Sequence, residues 1–257
     1  ALYYWCSAHS GMGGAINTNV THGSSNFDGT LQSKVSANTT SGFSIVSWTG
    51  NAVTGTTIGH SLGVKPNMII LKNRGPDVSS WPVYHFSLGA TKYLGLNSNG
   101  GESTSNTRWN DTEPTSTVFT TGSSGDVKGD SSGETFVAYC FANKPGFLKV
   151  GVYEGNGDTD GAFTYTGFKP SFVLTKTTGT DNWRIIDNKR LGYNPNNSLL
   201  QPSITQADSD QTWHDIVSNG FKLRTTDSGD NGGGTTYIYM AIGQSIVGSN
   251  NIPATAR

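Results

Sequence analysis

A ten-residue stretch that occurs twice is the feature that most constrains the fold of this chain. Residues 63–72 read GVKPNMIILK, and residues 167–176 read GFKPSFVLTK. In both copies the proline disfavours helical backbone at the preceding lysine, and it can begin a strand without losing a ladder hydrogen bond. The short apolar run that follows is typical of a buried strand. Each copy therefore predicts a buried β-strand, and the chain is predicted to be a duplication.

Other residues recur around the two copies at matching offsets of about 102 residues. A repeat of this length is a domain-sized unit rather than one turn of a solenoid, so we expect two homologous domains. The matching groups are Trp81 with Trp183, Leu88-Gly89 with Leu191-Gly192, Trp109-Asn110-Asp111 with Trp213-His214-Asp215, and Phe119 with Phe221.

The composition of the 257 residues favours an all-β fold. Charged residues make up 14% of the chain, against about 25% in an average soluble domain, and glycine occurs 34 times. Abundant uncharged polar residues between short apolar runs are typical of β proteins with many tight turns, including extracellular and virion-surface proteins. The net charge of −1 gives no electrostatic attraction for nucleic acid, and no apolar stretch is long enough to predict membrane insertion.

The repeats and their flanks predict four regions along the chain. Residues 2–8 resemble residues 136–142, which close the first repeat, so the chain opens on the last strand of a repeat. Either a preceding repeat of a longer array is missing, or this strand completes a neighbouring domain or chain. The predicted regions are an end strand followed by an extended arm over 1–41, a first repeat over 42–143, a second repeat over 144–243, and a tail over 244–257.

Seven short strands in about a hundred residues predict a β-sandwich of jelly-roll or lectin-like type for each repeat. Both faces of the strand that closes the first repeat, residues 136–141, are apolar, so that strand is expected to be central in its sheet. One helical turn is expected between Asp210 and Val217. The strands predicted in the first repeat span residues 43–49, 56–60, 67–72, 82–86, 93–97, 117–121 and 135–141.

Trp109 with Asp111, and Trp213 with Asp215, are the candidate ligand-binding residues. They lie in polar stretches between predicted strands, and binding groups tend to be carried by loops on a rigid scaffold. A flat indole face can pack on the C–H edges of a sugar while a carboxylate accepts hydrogen bonds from hydroxyl groups. The alternative is that each tryptophan covers the edge of the core and each aspartate makes a turn.

Asp158 and Asp160 are the candidate metal ligands. Residues 156–161 read NGDTDG, which has the opening spacing of a calcium-binding EF-hand loop. The pattern then fails, because the twelfth position is Gly167 where a bidentate glutamate is needed. Calcium is therefore the one cofactor considered, and the alternative is that both aspartates are solvated turn residues. The two cysteines, Cys6 and Cys140, are expected to be buried free thiols rather than a disulfide or a zinc site.

No catalytic motif is present, so the chain is not predicted to be an enzyme. The five histidines are scattered, and no HExxH or GxSxG pattern occurs. A pair of carboxylates for glycoside hydrolysis remains a second alternative, in which two of the acidic side chains would have to share one cleft. Nothing in the sequence singles out two of them.

The chain resembles a family of tandem β-rich domains of unknown biochemical activity that is found in structural proteins of marine bacteriophages. The resemblance covers nearly all residues after about residue 30, and it implies a virion component such as a tail fibre or another surface appendage, with no catalytic residues. It rests on residues 35–46 (VSANTTSGFSIV), 58–66 (IGHSLGVKP), 84–85 (YH), 153–169 and 218–224 (SNGFKLR).

These observations predict a virion structural protein whose repeats bind glycans or receptors on the host surface. Its expected location is the virion surface or the extracellular space, and its expected partners are other virion subunits, including copies of itself, with a trimer suggested only by analogy with fibres. Several identical chains would convert weak single-site binding into avidity. The alternative is a purely structural decoration or filament subunit, in which the N-terminal arm pairs with a neighbouring subunit.

Overall fold

The chain is almost entirely β-structure, as the sequence predicts. The computed structural model describes residues 2–5, 13–16, 23–75, 80–129, 133–190, 194 and 196–243. Within these residues the chain forms twenty strands and three one-turn helices, and the strands pair in antiparallel sheets. In the same ranges, no helix is long and apolar enough to cross a membrane.

The elements up to the end of the first repeat are β1 Leu2–Trp5, β2 Gly13–Ile16, β3 Ser24–Asn26, β4 Ser33–Asn38, β5 Phe43–Thr49, β6 Thr57–Gly59, β7 Met68–Asn73, β8 Pro82–His85, β9 Lys92–Gly95, β10 Ser103–Thr104, α1 Asn106–Trp109, β11 Val118–Thr120, α2 Gly125–Lys128 and β12 Thr135–Phe141. The second repeat contains β13 Leu148–Glu154, β14 Phe163–Tyr165, β15 Pro170–Thr177, β16 Arg184–Asp187, β17 Asn196–Leu199, β18 Ser209–Val217, β19 Gly220–Leu223, α3 Ser228–Asn231 and β20 Thr236–Gly243.

The sheet topology repeats along with the sequence. The first repeat contributes the order β5-β12-β7-β8 to an eight-stranded sheet, and the second repeat forms a separate sheet with the equivalent order β13-β20-β15-β16. A smaller sheet accompanies each of them, containing the pair β6-β11 in the first repeat and the equivalent pair β14-β19 in the second. The closing strand β12 lies between two partners, which confirms its predicted central position, and β20 has the same position in the second repeat.

Three large cores hold these sheets together. The first lies inside the first repeat, where the alternating side chains of Val46 and Trp48 on β5 pack with Ile58 on β6 and Phe119 on β11. The equivalent core of the second repeat contains Phe221 and several tyrosines. The third core lies between the two repeats and joins the two large sheets face to face.

The core between the repeats is built from equivalent faces of the duplicated strands. Ile70 on β7 and Leu174 on β15 occupy the same position of the repeated stretch, and both belong to this core. At its margin the indole Nε1 of Trp183 donates a hydrogen bond of 2.7 Å to the carbonyl oxygen of Gly95. The repeats therefore meet as a pseudo-symmetric pair, and their description as two tandem sandwich domains stays a prediction.

The described part of the extended arm packs on the first repeat. Strand β4 pairs with β5, and β3 pairs with β4, so residues 24–38 extend the large sheet of the first repeat. Residues 29–31 cross to the smaller sheet, where the backbone N–H groups of Thr30 and Leu31 donate to the carbonyl oxygen of Thr57. The arm thus closes one side of the first repeat.

One local expectation was wrong, and one local feature was not expected. The helical turn expected between Asp210 and Val217 is part of β18, a long strand that pairs on both sides. The three short helices were not predicted, and each begins where a side chain accepts a hydrogen bond from a backbone N–H group, at Ser105, Ser124 and Asp227. Residues 6–12, 17–22 and 244–257, on which the remaining predictions for the arm and the tail depend, lie outside the described residues.

Substitution of Leu174 by alanine tests whether the shared core couples the repeats. Leu174 is only 3% exposed, so the cavity should lower the free energy of unfolding by about 2 to 5 kcal/mol. Because both repeats use this core, urea unfolding followed by far-UV and near-UV circular dichroism should remain one transition that shifts as a whole. Val64→Ala, at a position that is 43% exposed, is the control and should change stability by less than about 0.5 kcal/mol. Two transitions, of which only one shifts, would contradict the coupling.

Candidate functional site

Neither predicted ligand-binding tryptophan presents an open face. Trp109 ends α1, is 1% exposed, and packs edge to face against Tyr84 with ring centroids 6.0 Å apart. Trp213 on β18 is 9% exposed and lies beneath the guanidinium group of Arg184, 4.7 Å from the ring centroid. A buried indole cannot pack on a sugar without local opening. The burial favours the alternative, in which both tryptophans belong to the core.

The two aspartates paired with these tryptophans lie in different settings. Asp111 is exposed in a turn with a positive backbone φ of 49°. The Asp215 carboxylate is only 16% exposed, and its Oδ2 accepts a hydrogen bond of 2.6 Å from Arg224 Nε. The structure therefore does not combine an open indole with a free carboxylate at either place. A ligand role for these four residues stays a prediction.

Asp158 and Asp160 behave as turn residues in the structure. The Oδ1 atom of Asp158 accepts a hydrogen bond of 2.9 Å from the backbone N–H of Asp160. Lys222 donates to Asp160 Oδ1 at 2.7 Å, and this hydrogen bond and charge lower the pKa of that carboxyl group. No group of three or more His, Cys, Asp or Glu side chains arranged for a metal ion occurs among the described residues.

The two repeats have different chemistry at the same position of their cores. In the first repeat Trp48 and Phe136 face each other across β5 and β12, with stacked rings whose centroids are 5.3 Å apart. In the second repeat Tyr153 and Tyr237 occupy the equivalent positions and stack at 4.9 Å. The scaffold is therefore preserved while hydroxyl groups are added to the core.

Asp230 is the centre of the polar core in the second repeat. It is fully buried as the third residue of α3, where α2 of the first repeat has the apolar Val127. Its Oδ2 contacts His214 Nε2 at 2.5 Å, and its Oδ1 accepts hydrogen bonds from Tyr153 at 2.9 Å and from Thr175 at 2.8 Å. One carboxylate thus connects α3 with β13, β15 and β18.

The charge balance around Asp230 keeps its carboxylate ionised. Burial by itself would raise the pKa of Asp230, but the charge and hydrogen bond of His214, together with Arg184 and Thr175, hold the pKa below its ordinary value. The same burial and the nearby carboxylate raise the pKa of Tyr153 well above its ordinary value, so the phenol remains a hydrogen-bond donor. With His214 1% exposed and Asp230 0% exposed, this cluster is an internal anchor rather than a surface site.

Acidification and Asp230→Asn test this anchor. Since the pKa of Asp230 is lower in the folded than in the unfolded chain, its contribution is fully present above about pH 4 and is lost as the pH falls through the folded pKa. At pH 7 the substitution should cost about 3 kcal/mol of unfolding free energy, because it leaves buried partners without their charge. The difference from wild type should shrink below about pH 4 in urea titrations. Asp158→Asn is the exposed control, and an Asp230→Asn variant as stable as that control would contradict the anchor.

Phe163 and Tyr165 form an exposed aromatic pair on the second repeat. In the first repeat, the equivalent side is covered by the arm. The pairing registers of β6-β11 and β14-β19 align Thr57 with Phe163 and Gly59 with Tyr165. In the first repeat the arm is so close that a Cβ atom at Gly59 would collide with the side chain of Asn26. In the second repeat Phe163 is 49% exposed and Tyr165 is 64% exposed.

A cavity of about 310 Å³ lies beside Tyr165. Its walls come from the turn between the repeats with Lys144, from Lys149 on β13, and from the end of β14 and the following Thr166 and Gly167. Phe163 and Tyr165 project from the same face of β14, because Thr164 between them is buried. This surface therefore combines the aromatic rings of Phe163 and Tyr165 with the lysines Lys144 and Lys149. We call these four residues and the cavity beside them the β14 platform.

The sequence contained a signal for the β14 platform that the tryptophan argument missed. In Phe163-Thr164-Tyr165 a threonine separates two aromatic side chains, and period-two alternation places such a pair on one face of a strand. Whether that face is open depends on the arm, which precedes only the first repeat. The structure supplied this information.

A comparison with protein families gives one match. The family model described as "Domain of unknown function (DUF7483)" matches residues 17–245, so a single model covers both repeats and most of the arm. Comparison with curated proteins and with solved structures gave no match.

Proposed function

The chain belongs to the family described as Domain of unknown function (DUF7483), and from its surfaces we propose that it is a carbohydrate-binding structural module that acts without catalysis. The observation that carries the proposal is the exposed pair Phe163 and Tyr165 on one strand face beside a cavity. Exposed aromatic rings on a rigid strand lose little conformational entropy on binding, and they can pack on the apolar faces of sugar rings.

The polar groups around the β14 platform suit a sugar ligand. Lys144 and Lys149 line the cavity and can donate hydrogen bonds to hydroxyl oxygens, while the Tyr165 hydroxyl can both donate and accept. The turn that carries Lys144 and the start of β13 that carries Lys149 are fixed in place. The backbone N–H of Val150 donates to Asn143 Oδ1 at 2.6 Å, and the N–H of Gly243 donates to the carbonyl of Phe147 at 2.7 Å. A preformed cavity of this kind is typical of small-ligand sites.

We further propose that the module belongs to a virion surface appendage and acts as a homo-oligomer with other virion subunits on the host cell surface. The low charge, the glycine and hydroxyl-rich composition and the resemblance to phage structural proteins support this setting. Multiple copies would raise the avidity of a single shallow platform. In this proposal each repeat is one β-sandwich of jelly-roll or lectin-like type, and the shared core keeps the two in a fixed orientation.

A glycan array with the intact chain tests the carbohydrate proposal. Wild type should bind a subset of immobilised glycans, and Tyr165→Ala and Phe163→Ala should each weaken binding about tenfold, which corresponds to about 1.4 kcal/mol for the loss of one stacking face. Phe27→Ala is the matched control, because Phe27 is 75% exposed but lies in the arm. It should leave binding unchanged.

Two results would contradict the proposal. Absence of glycan binding by folded wild-type protein would favour the alternative of a purely structural subunit. Equal losses in the Phe163, Tyr165 and Phe27 variants would show that exposed aromatic side chains bind without a defined site.

A further inference from the structure

A groove at one end of the first repeat is separate from the β14 platform and has a different chemistry. It has a volume of about 470 Å³ and is lined by the arm and β4, by the ends of β5 and β12, and by Arg74, which follows β7. Trp48 and Phe136 contribute to its lining but are 6% and 0% exposed, so they offer no open ring face. The groove therefore presents charged, amide and hydroxyl side chains and no open aromatic ring.

The charged residues of the groove are all cationic. Lys34 and Arg74 line it, both are exposed, and its lining contains no aspartate or glutamate. Neither cation forms a salt bridge within the described part of the chain. In a chain with a net charge of −1, this is a local positive surface.

The sheet order places Lys34 and Arg74 on opposite sides of two strands. Lys34 lies on β4 and Arg74 follows β7, and the order β4-β5-β12-β7 places three strand spacings between their backbones, about 14 Å measured across the strands. The registers place Arg74 two residues further along the strand direction than Lys34. The hydroxyl groups of Ser47, Thr49 and Thr135 belong to the strands in between and also line the groove. An extended ligand across these strands would meet a cation, a row of hydroxyls and a second cation.

We propose that this groove binds an acidic polysaccharide across the strands, with anionic groups at Lys34 and Arg74 and sugar hydroxyls at Ser47, Thr49 and Thr135. A guanidinium group can hold a sulfate or carboxylate through two parallel hydrogen bonds, and an ammonium group pairs with a second anion. Single-stranded nucleic acid fits less well, because its bases need exposed aromatic faces and the rings here are buried. This site goes beyond the proposed function, because it uses another surface and selects for charge.

The experiment compares three polymers with the same backbone: dextran sulfate, carboxymethyl dextran and neutral dextran. Titration calorimetry with the full chain should detect binding of one or both anionic polymers and none of neutral dextran at the groove. Lys34→Ser and Arg74→Ser should each weaken anionic binding about tenfold, because each removes a charge-assisted contact. Lys189→Ser removes one exposed positive charge from the second repeat and is the matched control.

Comparison of dextran sulfate with carboxymethyl dextran identifies which anion the groove prefers. Retained affinity in Lys189→Ser would support a defined site. The proposal is overturned if wild type binds neither anionic polymer, if all three serine variants lose affinity equally, or if single-stranded DNA of equal charge competes as well as dextran sulfate. Thermal unfolding of each variant confirms that the exposed substitutions leave the fold intact.

Discussion

The apolar contact between the two large sheets is the interaction on which the rest of the structure depends. In each large sheet the central strand is apolar on both faces, so the side that points away from the small sheet also needs an apolar partner. The duplicated strands solve this by packing their equivalent faces together, with Ile70 and Leu174 in one shared core. Beside this core, the indole of Trp183 in the second repeat donates a hydrogen bond to the carbonyl oxygen of Gly95 in the first. That contact fixes the two repeats as one unit, and a single family model covers them both.

Differences between the repeats are informative because the scaffold around them is the same. The first repeat has an apolar core around Trp48 and a side closed by the arm, whereas the second has the Asp230 cluster and an exposed β14. The arm both removes one side of the first repeat from solvent and builds the wall of the cationic groove. The arm thus gives the two repeats different surfaces: the first has the cationic groove, and the second has the β14 platform.

The strands were predictable because their signals are local. Proline followed by an apolar run gave β7 and β15, and the predicted strand over residues 43–49 coincides with β5. The environment of the tryptophans was not predictable, because a polar neighbourhood in sequence does not reveal that α1 turns Trp109 into the core. The same Trp-x-Asp motif lies in a helix and turn in one repeat and in β18 in the other. The Asp230 cluster and the groove join residues that are distant in sequence, and only the pairing of strands brings them together.

Native-state hydrogen exchange is the most direct test of the account, which holds that the repeats form one unit through a shared core. Amide protons in the central strands β12 and β20 should exchange through the same global opening, with equal free energies that fall together as urea is added. Independent folding would give a different result. If β20 exchanged through a separate opening whose free energy and urea dependence clearly differed from those of β12, the shared core would not be the interaction that holds the molecule together.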